Sequence, residues 1–89
     1  IPYACTVEVE SYKEEPNILR IGAVIYVERD SQKDILIGRK GVSIKRIGTE
    51  ARKDLEDFTG RKVFLELFVK VEKDWRKKES KLKRFGYTL

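Results

Sequence analysis

An 89-residue chain with 40% hydrophobic and 39% charged residues is long enough for one compact domain and too short for two, and that balance excludes a disordered chain. No apolar run approaches the roughly 20 residues that span a bilayer, so a transmembrane segment is excluded as well. The formal charge of +5 is unevenly spread: residues 1–32 carry −3, residues 33–62 carry +4, residues 63–72 carry −1 and residues 73–89 carry +5.

Two cationic stretches of this kind produce a positive field suited to a polyanion, although charge runs also serve simply to solvate helix faces. Histidine is absent and Cys5 is the single cysteine, which removes the commonest general base, a zinc site and an internal disulfide. A binding module is therefore expected in place of an enzyme, with no metal or cofactor, in the reducing cytoplasm. Cys5 itself reads as a small core residue. Methionine is also absent, so Ile1 is not an initiator position and a processed or excised piece of a longer chain is expected.

In chain order, Ala4 to Tyr12 alternate, with Cys5, Val7 and Val9 on one face and Thr6, Glu8 and Glu10 on the other, the pattern of a half-buried strand. Lys13 to Asn17, with two glutamates and Pro16, break the pattern as a turn. Arg20 to Arg29 hold Ile21, Ala23, Val24, Ile25 and Val27, apolar on both faces, and read as a more central strand paired to the first as a hairpin. Ser31 and Asp34 resemble a capping box ahead of a short helix through Asp34 to Ile37, which Gly38 ends.

A second helix is predicted from about Val42 to Phe58. Ile44, Ile47, Ala51, Leu55 and Phe58 form its apolar stripe, Arg46, Arg52 and Lys53 its outer face, and Gly60 its stop. Val63 to Val71 alternate cleanly, with Val63, Leu65, Leu67, Val69 and Val71 against Phe64, Glu66, Phe68 and Lys70. A last helix from about Asp74 to Phe85 would point Trp75, Leu82 and Phe85 inward among many cations. Strand, strand, helix, helix, strand, helix implies an α+β fold: a three-stranded mixed sheet, its second and third strands parallel, with helices packed on one face.

The segment "ILIGRKGVSIKRIG", from Ile35 to Gly48, joins two predicted helices through only Gly38, Arg39, Lys40 and Gly41. A tight reversal accounts for the glycines, which tolerate the required φ values, and leaves the cations at the exposed tip without a packing role. A phosphate site accounts for both. Missing side chains admit a phosphodiester backbone, the following helix start offers N–H groups and a positive dipole end, and Arg39 and Lys40 neutralise charge. The spacing fits neither a Walker A loop, with four residues between its glycines, nor a three-glycine dinucleotide fingerprint.

"LIGRKGVSIKRI" resembles the KH-domain signature: an apolar pair, Gly-x-x-Gly, then Ile44 and Ile47. The strand order resembles the type II variant. More narrowly, "IGRKGVSIKRIGTEARKDLE", "VFLELFVKVEKDW" and "RFGY" are similar to the C-terminal KH domain of the Era family of bacterial GTPases, and the likeness runs from "IPYACTVEVE" to Tyr87. The family pattern places a helix and a GTPase domain ahead of the first strand, and this chain shows neither.

The resemblance implies a single domain over residues 1–89 that clamps about four nucleotides of single-stranded RNA. Its implied partners are the 3′ end of 16S ribosomal RNA and the small ribosomal subunit during assembly, and a monomer is expected. Carried onto this sequence, Gly38, Arg39, Lys40 and Gly41 would hold the RNA backbone. Ile35, Ile37, Val42 and Ile44 would form an apolar floor for bases, two or more of them shared with the core, and Lys45 and Arg46 would add phosphate contacts. Trp75 could stack a base, yet its spacing from Leu82 and Phe85 favours a core anchor. The alternative is a protein-contact or regulatory module for a partner domain.

Overall fold

The structure is a computed structural model that describes residues 5–73. Five main elements follow one another: β1 (Thr6–Glu14), β2 (Leu19–Val27), α1 (Asp30–Ile37), α2 (Val42–Thr59) and β3 (Val63–Val71), with a single 3-10 turn, Arg39–Gly41, between the helices. The helix expected beyond Asp74, and with it Trp75, lies outside the described residues.

The three strands form one sheet in the order β1-β2-β3, antiparallel between β1 and β2 and parallel between β2 and β3. The parallel pairing follows from the connection, because a return through two helices brings the chain back in its original direction. The hairpin closes across Pro16 and Asn17, where the Glu15 N–H donates to the Ile18 carbonyl at 3.0 Å. Arg61 ties this corner to the start of β3, donating to Glu14 Oε1 at 2.8 Å and to the Glu15 carbonyl.

β2 is the central strand and holds most of the core: Leu19, Ile21, Ala23, Val24, Ile25 and Val27 are buried. On the helix side, Leu55 of α2 and Leu65 of β3 pack against the cluster of Leu19, Ile21 and Val63. The opposite face of β3 leaves Phe64 and Phe68 exposed, with the Arg20 guanidinium 5.4 Å from the Phe64 ring centroid.

β1 departs from the expected half-buried strand. It sits at the sheet edge, and Val7, Val9 and Tyr12 are all exposed. A bulge between Val9 and Ser11 also breaks the alternation: Val9 pairs with Ala23 and Ser11 already pairs with Gly22, so Glu10 is the extra residue. Downstream of it Tyr12, and not Ser11, shares the helix-side face with Val9. Cys5, expected in the core, is exposed just ahead of this edge strand.

Two helix expectations are also corrected. α1 begins at Asp30, ahead of the Ser31 cap that the sequence suggested. The side chain that serves its start is Gln32, whose Oε1 accepts the N–H groups of Glu28 at 3.0 Å and Arg29 at 2.9 Å. This is the reaching-back half of a capping box: the first-turn amide satisfies backbone N–H groups ahead of the helix, where a short Ser or Asp cap would satisfy those inside its first turn. In α2, Ile44, Ile47, Ala51 and Leu55 are half-buried, but Phe58 is 89% exposed. The helix overshoots the layer beneath it in its last turn, before Gly60 at φ 69° and ψ 16° ends it with its N–H on the Glu56 carbonyl at 2.8 Å.

Candidate nucleic-acid interface

Between α1 and α2 the backbone takes an unusual path. Gly38 donates its N–H to the Asp34 carbonyl at 2.9 Å, ending α1, and adopts φ 74° and ψ 173°. That region is open essentially to glycine alone. Lys40 follows at φ 55° and ψ 25°, the one described non-glycine residue with positive φ, and Gly41 at φ 76° and ψ 16°. The Gly41 N–H closes the turn on the Gly38 carbonyl at 3.1 Å.

This path leaves Arg39 and Lys40 exposed at the tip of the turn. Gly41 occupies the N-cap of α2, no side chain caps that end, and no acidic residue lies in its first turn. A helix start that no side chain caps, with its positive dipole end and two exposed cations one or two residues away, is an arrangement that attracts an anion.

Immediately beyond the loop lies a groove of about 400 Å³ between α2 and β3. α2 lines it with Ile44, Lys45, Gly48, Thr49 and Arg52, and β3 with Leu65 and Leu67. Its walls are therefore apolar at the base and cationic or polar along the helix side. Among the described residues β3 is an edge strand, with no strand paired to the side of its backbone away from β2.

Of the apolar positions expected as a floor, Ile44 lines this groove. Ile37 is half-buried outside its lining, and Ile35 and Val42 are exposed on either side of the loop. Lys45 is an exposed part of the groove wall, whereas Arg46 is exposed away from it. Gly48, Thr49, Arg52, Leu65 and Leu67 were not anticipated as site residues. Their signal is a second stripe on α2 at positions 45, 48, 49 and 52, alongside the apolar one, with a mid-helix glycine in it.

Arg52 was expected on the outer face and is instead half-buried at the groove, its Nη1 donating to Glu56 Oε1 at 2.9 Å. Glu56 Oε2 accepts the Val63 N–H at 2.9 Å. That backbone hydrogen bond, helped by Arg52 and Lys62, holds the Glu56 carboxyl below its ordinary range against the smaller opposing effect of desolvation.

A second hollow, of about 370 Å³, lies between β1, the sheet face and α2, lined by Val7, Val9 and Tyr12 among others. Among the described residues no charged side chain lines it, so they offer nothing there to a polyanion.

A family model for the KH domain matches residues 1–76. The chain belongs to the KH-domain family. The KH domain is 53% identical over 87 residues to GTPase Era of Xylella fastidiosa, covering 98% of this chain, and 53% identical over 90 residues to GTPase Era of Geobacter metallireducens, covering 99%. It spans 29% and 30% of the length of those two relatives. Among solved structures, Aquifex aeolicus Era bound to GDP·AlF4− matches with a TM-score of 0.82 and 43% identity over 96% of this chain and 29% of that one. An Era complex with MgGDPNP and nucleotides 1506–1542 of 16S ribosomal RNA matches with the same TM-score, identity and coverage. The Gly38–Gly41 turn has the Gly-x-x-Gly spacing, and the mixed three-stranded sheet matches solved Era in fold.

Proposed function

We propose that this KH domain is a single-stranded RNA-binding module that takes the RNA backbone at the Gly38–Gly41 loop and the adjoining bases in the groove between α2 and β3. The observation that carries the reading is the loop itself. Its strained backbone presents Arg39 and Lys40 at an uncapped helix start that opens onto a groove large enough for bases. Gly38, Arg39, Lys40 and Gly41 hold phosphates, Lys45 and Arg46 extend the cationic approach, and Ile44 with Leu65 and Leu67 supplies the apolar support. Ile35 and Val42, exposed beside the loop, flank the entering strand, and Ile37 supports the loop from the α1 side.

By its likeness to Era, whose solved complex includes nucleotides 1506–1542 of 16S ribosomal RNA, the RNA is the 3′ end of 16S ribosomal RNA and the setting is assembly of the small ribosomal subunit in the bacterial cytoplasm. The domain acts as a monomeric binder without cofactor. The relatives carry the name GTPase and this chain spans 29% and 30% of their length; the domain is read as an RNA-binding part and not a hydrolytic one.

Replacing Arg39 and Lys40 together by aspartate tests the reading. Both side chains are exposed, where substitutions usually change stability by no more than about 0.5 kcal/mol, and aspartate tolerates the left-handed backbone at position 40. Two attractive charges become repulsive where phosphates come closest, at a cost of several kcal/mol. Melting like the parent with loss of binding to a short single-stranded RNA, followed by fluorescence anisotropy at fixed salt, is the expected result. Equal binding by parent and variant would leave the loop as a turn and return the domain to a protein-contact role.

A further inference from the structure

Arg52 stands apart from the other cations of the interface. Arg39, Lys40, Lys45 and Arg46 are exposed, whereas Arg52 is half-buried at the groove. Its guanidinium is anchored through Glu56 to the Val63 N–H, and Val63 is 3% exposed at the start of β3. A chain of two hydrogen bonds therefore fixes this side chain to the core.

That anchoring changes what Arg52 can recognise. The Glu56 carboxylate offsets the guanidinium charge, so Arg52 adds little to the field that draws phosphates and releases few counterions when RNA binds. Its directed donors are not offset. A guanidinium carries five N–H donors in a rigid plane, and the bond to Glu56 engages Nη1 alone. Next to it in the groove are Leu65 and Leu67, apolar surfaces on which a base can rest.

Resting on the RNA-binding reading, we infer that Arg52 reads a base in the groove by donating to a base carbonyl oxygen, and that Glu56 is the positioning residue that holds it for this. Guanine, uracil and cytosine carry such an oxygen and adenine does not, so adenine is disfavoured at that one position. Arg52 lies eleven residues after Gly41, about 16 Å along α2 at 1.5 Å per residue. The base it reads is thus well separated from the phosphates at the loop. The division of labour is spatial: the loop positions the backbone, and the anchored arginine specifies.

The test measures the 89-residue chain against short single-stranded RNAs in which each position is varied through the four bases, across a salt series, with Arg52→Gln, Arg52→Lys, Glu56→Gln and the Arg39/Lys40 aspartate pair. The parent is expected to disfavour adenine at one position by about tenfold. Arg52→Gln flattens that preference and leaves the salt slope unchanged. Arg52→Lys keeps the charge and the helical stem but lacks the planar fork, and flattens it equally, which covers the case that the glutamine variant fails to fold. Glu56→Gln exposes an uncompensated charge, so the preference weakens while the slope steepens by about 0.7 on single strands; a merely structural glutamate would leave the slope alone.

A base profile unchanged in both Arg52 variants overturns the inference, and so does a slope that falls by about 0.7 in Arg52→Gln with the profile intact, which would make Arg52 a phosphate contact. In either case the aspartate pair still abolishes binding and the RNA reading stands. Failure of the parent to bind any single strand overturns the RNA reading and this inference together.

Discussion

Gly38 and Ser43 face each other so closely across the loop that a methyl group on Gly38 would lie 2.4 Å from Ser43 Oγ and 3.0 Å from the Ser43 backbone nitrogen. Gly41 has positive φ too, but a methyl group there would meet only Ile44 Cγ2, at 4.0 Å. The two glycines of the motif are therefore unequal in what they demand. Gly38→Ala is expected to cost about 3 kcal/mol, combining a backbone region closed to alanine with a steric clash, whereas Gly41→Ala costs about 1 kcal/mol for the left-handed backbone alone. Urea midpoints of the two variants check this. Ser43→Gly in the Gly38→Ala background should recover only part of the loss, since the backbone nitrogen and the φ of residue 38 stay where they are. Equal losses in the two alanine variants would contradict the account.

Lys40 holds a left-handed conformation that suits glycine better, at φ 55°. Backbone strain of about 1–2 kcal/mol is partly offset in a glycine variant by the greater entropy of its unfolded chain, about 0.5–1 kcal/mol. Lys40→Gly should thus raise stability by roughly 0.5–1 kcal/mol. The same change removes one phosphate contact and should lower the magnitude of the salt slope by about 0.7 on single strands. A variant that is more stable and binds less tightly would show strain kept for the sake of a charge. A fall in both properties would instead give Lys40 a packing role.

Much of the fold was legible because the signals were local. The two-residue period of β3, the apolar density of β2 and the glycines at 38 and 60 each follow from backbone geometry within one element, and each is found in its expected place. The misjudged features depend on partners elsewhere in the chain. The bulge at Glu10 is set by pairing with β2, the cap of α1 comes from a glutamine behind the expected serine, and Phe58 is exposed because the sheet beneath α2 has ended. The site divides in the same way. The loop is contiguous and could be read directly, whereas the groove combines one face of α2 with alternate residues of β3, and Arg52 took its position from Glu56 and Val63, which no helical periodicity reveals.

Gly48 sits inside α2, where glycine is about 0.5–1 kcal/mol worse than alanine, and no steric conflict with Leu67 across the groove requires it. A methyl group on Gly48 would lie 3.6 Å from Leu67 Cδ1, an ordinary contact that bridges the groove from α2 to β3 without a clash. Gly48→Ala is therefore expected to stabilise the fold by up to about 1 kcal/mol while narrowing the groove and weakening RNA binding severalfold. Thermal melting and anisotropy on the same samples separate the two effects. Unaltered affinity in a more stable variant would show that bases do not enter between Gly48 and Leu67.

Glu56 links the groove to acid stability. Its carboxyl is held below the ordinary value of 4.5, first by the Val63 N–H and then by Arg52 and Lys62, with desolvation acting in the opposite direction. On acidification the unfolded chain takes up this proton before the folded one does, so the stabilisation is complete above pH 4.5 and is lost as the pH falls through the lower, folded value. Glu56→Gln keeps an acceptor for the Val63 N–H and loses the charge that faces Arg52 and Lys62. The variant should melt below the parent at neutral pH, and the gap should shrink as the pH is lowered beneath 4.5, because protonation makes the parent resemble the variant. Melting curves for both chains between neutral pH and about pH 3 measure the gap directly. A gap that stays constant across that range would mean that the ionised carboxylate contributes nothing at this corner, and that shape alone holds α2 to the start of β3.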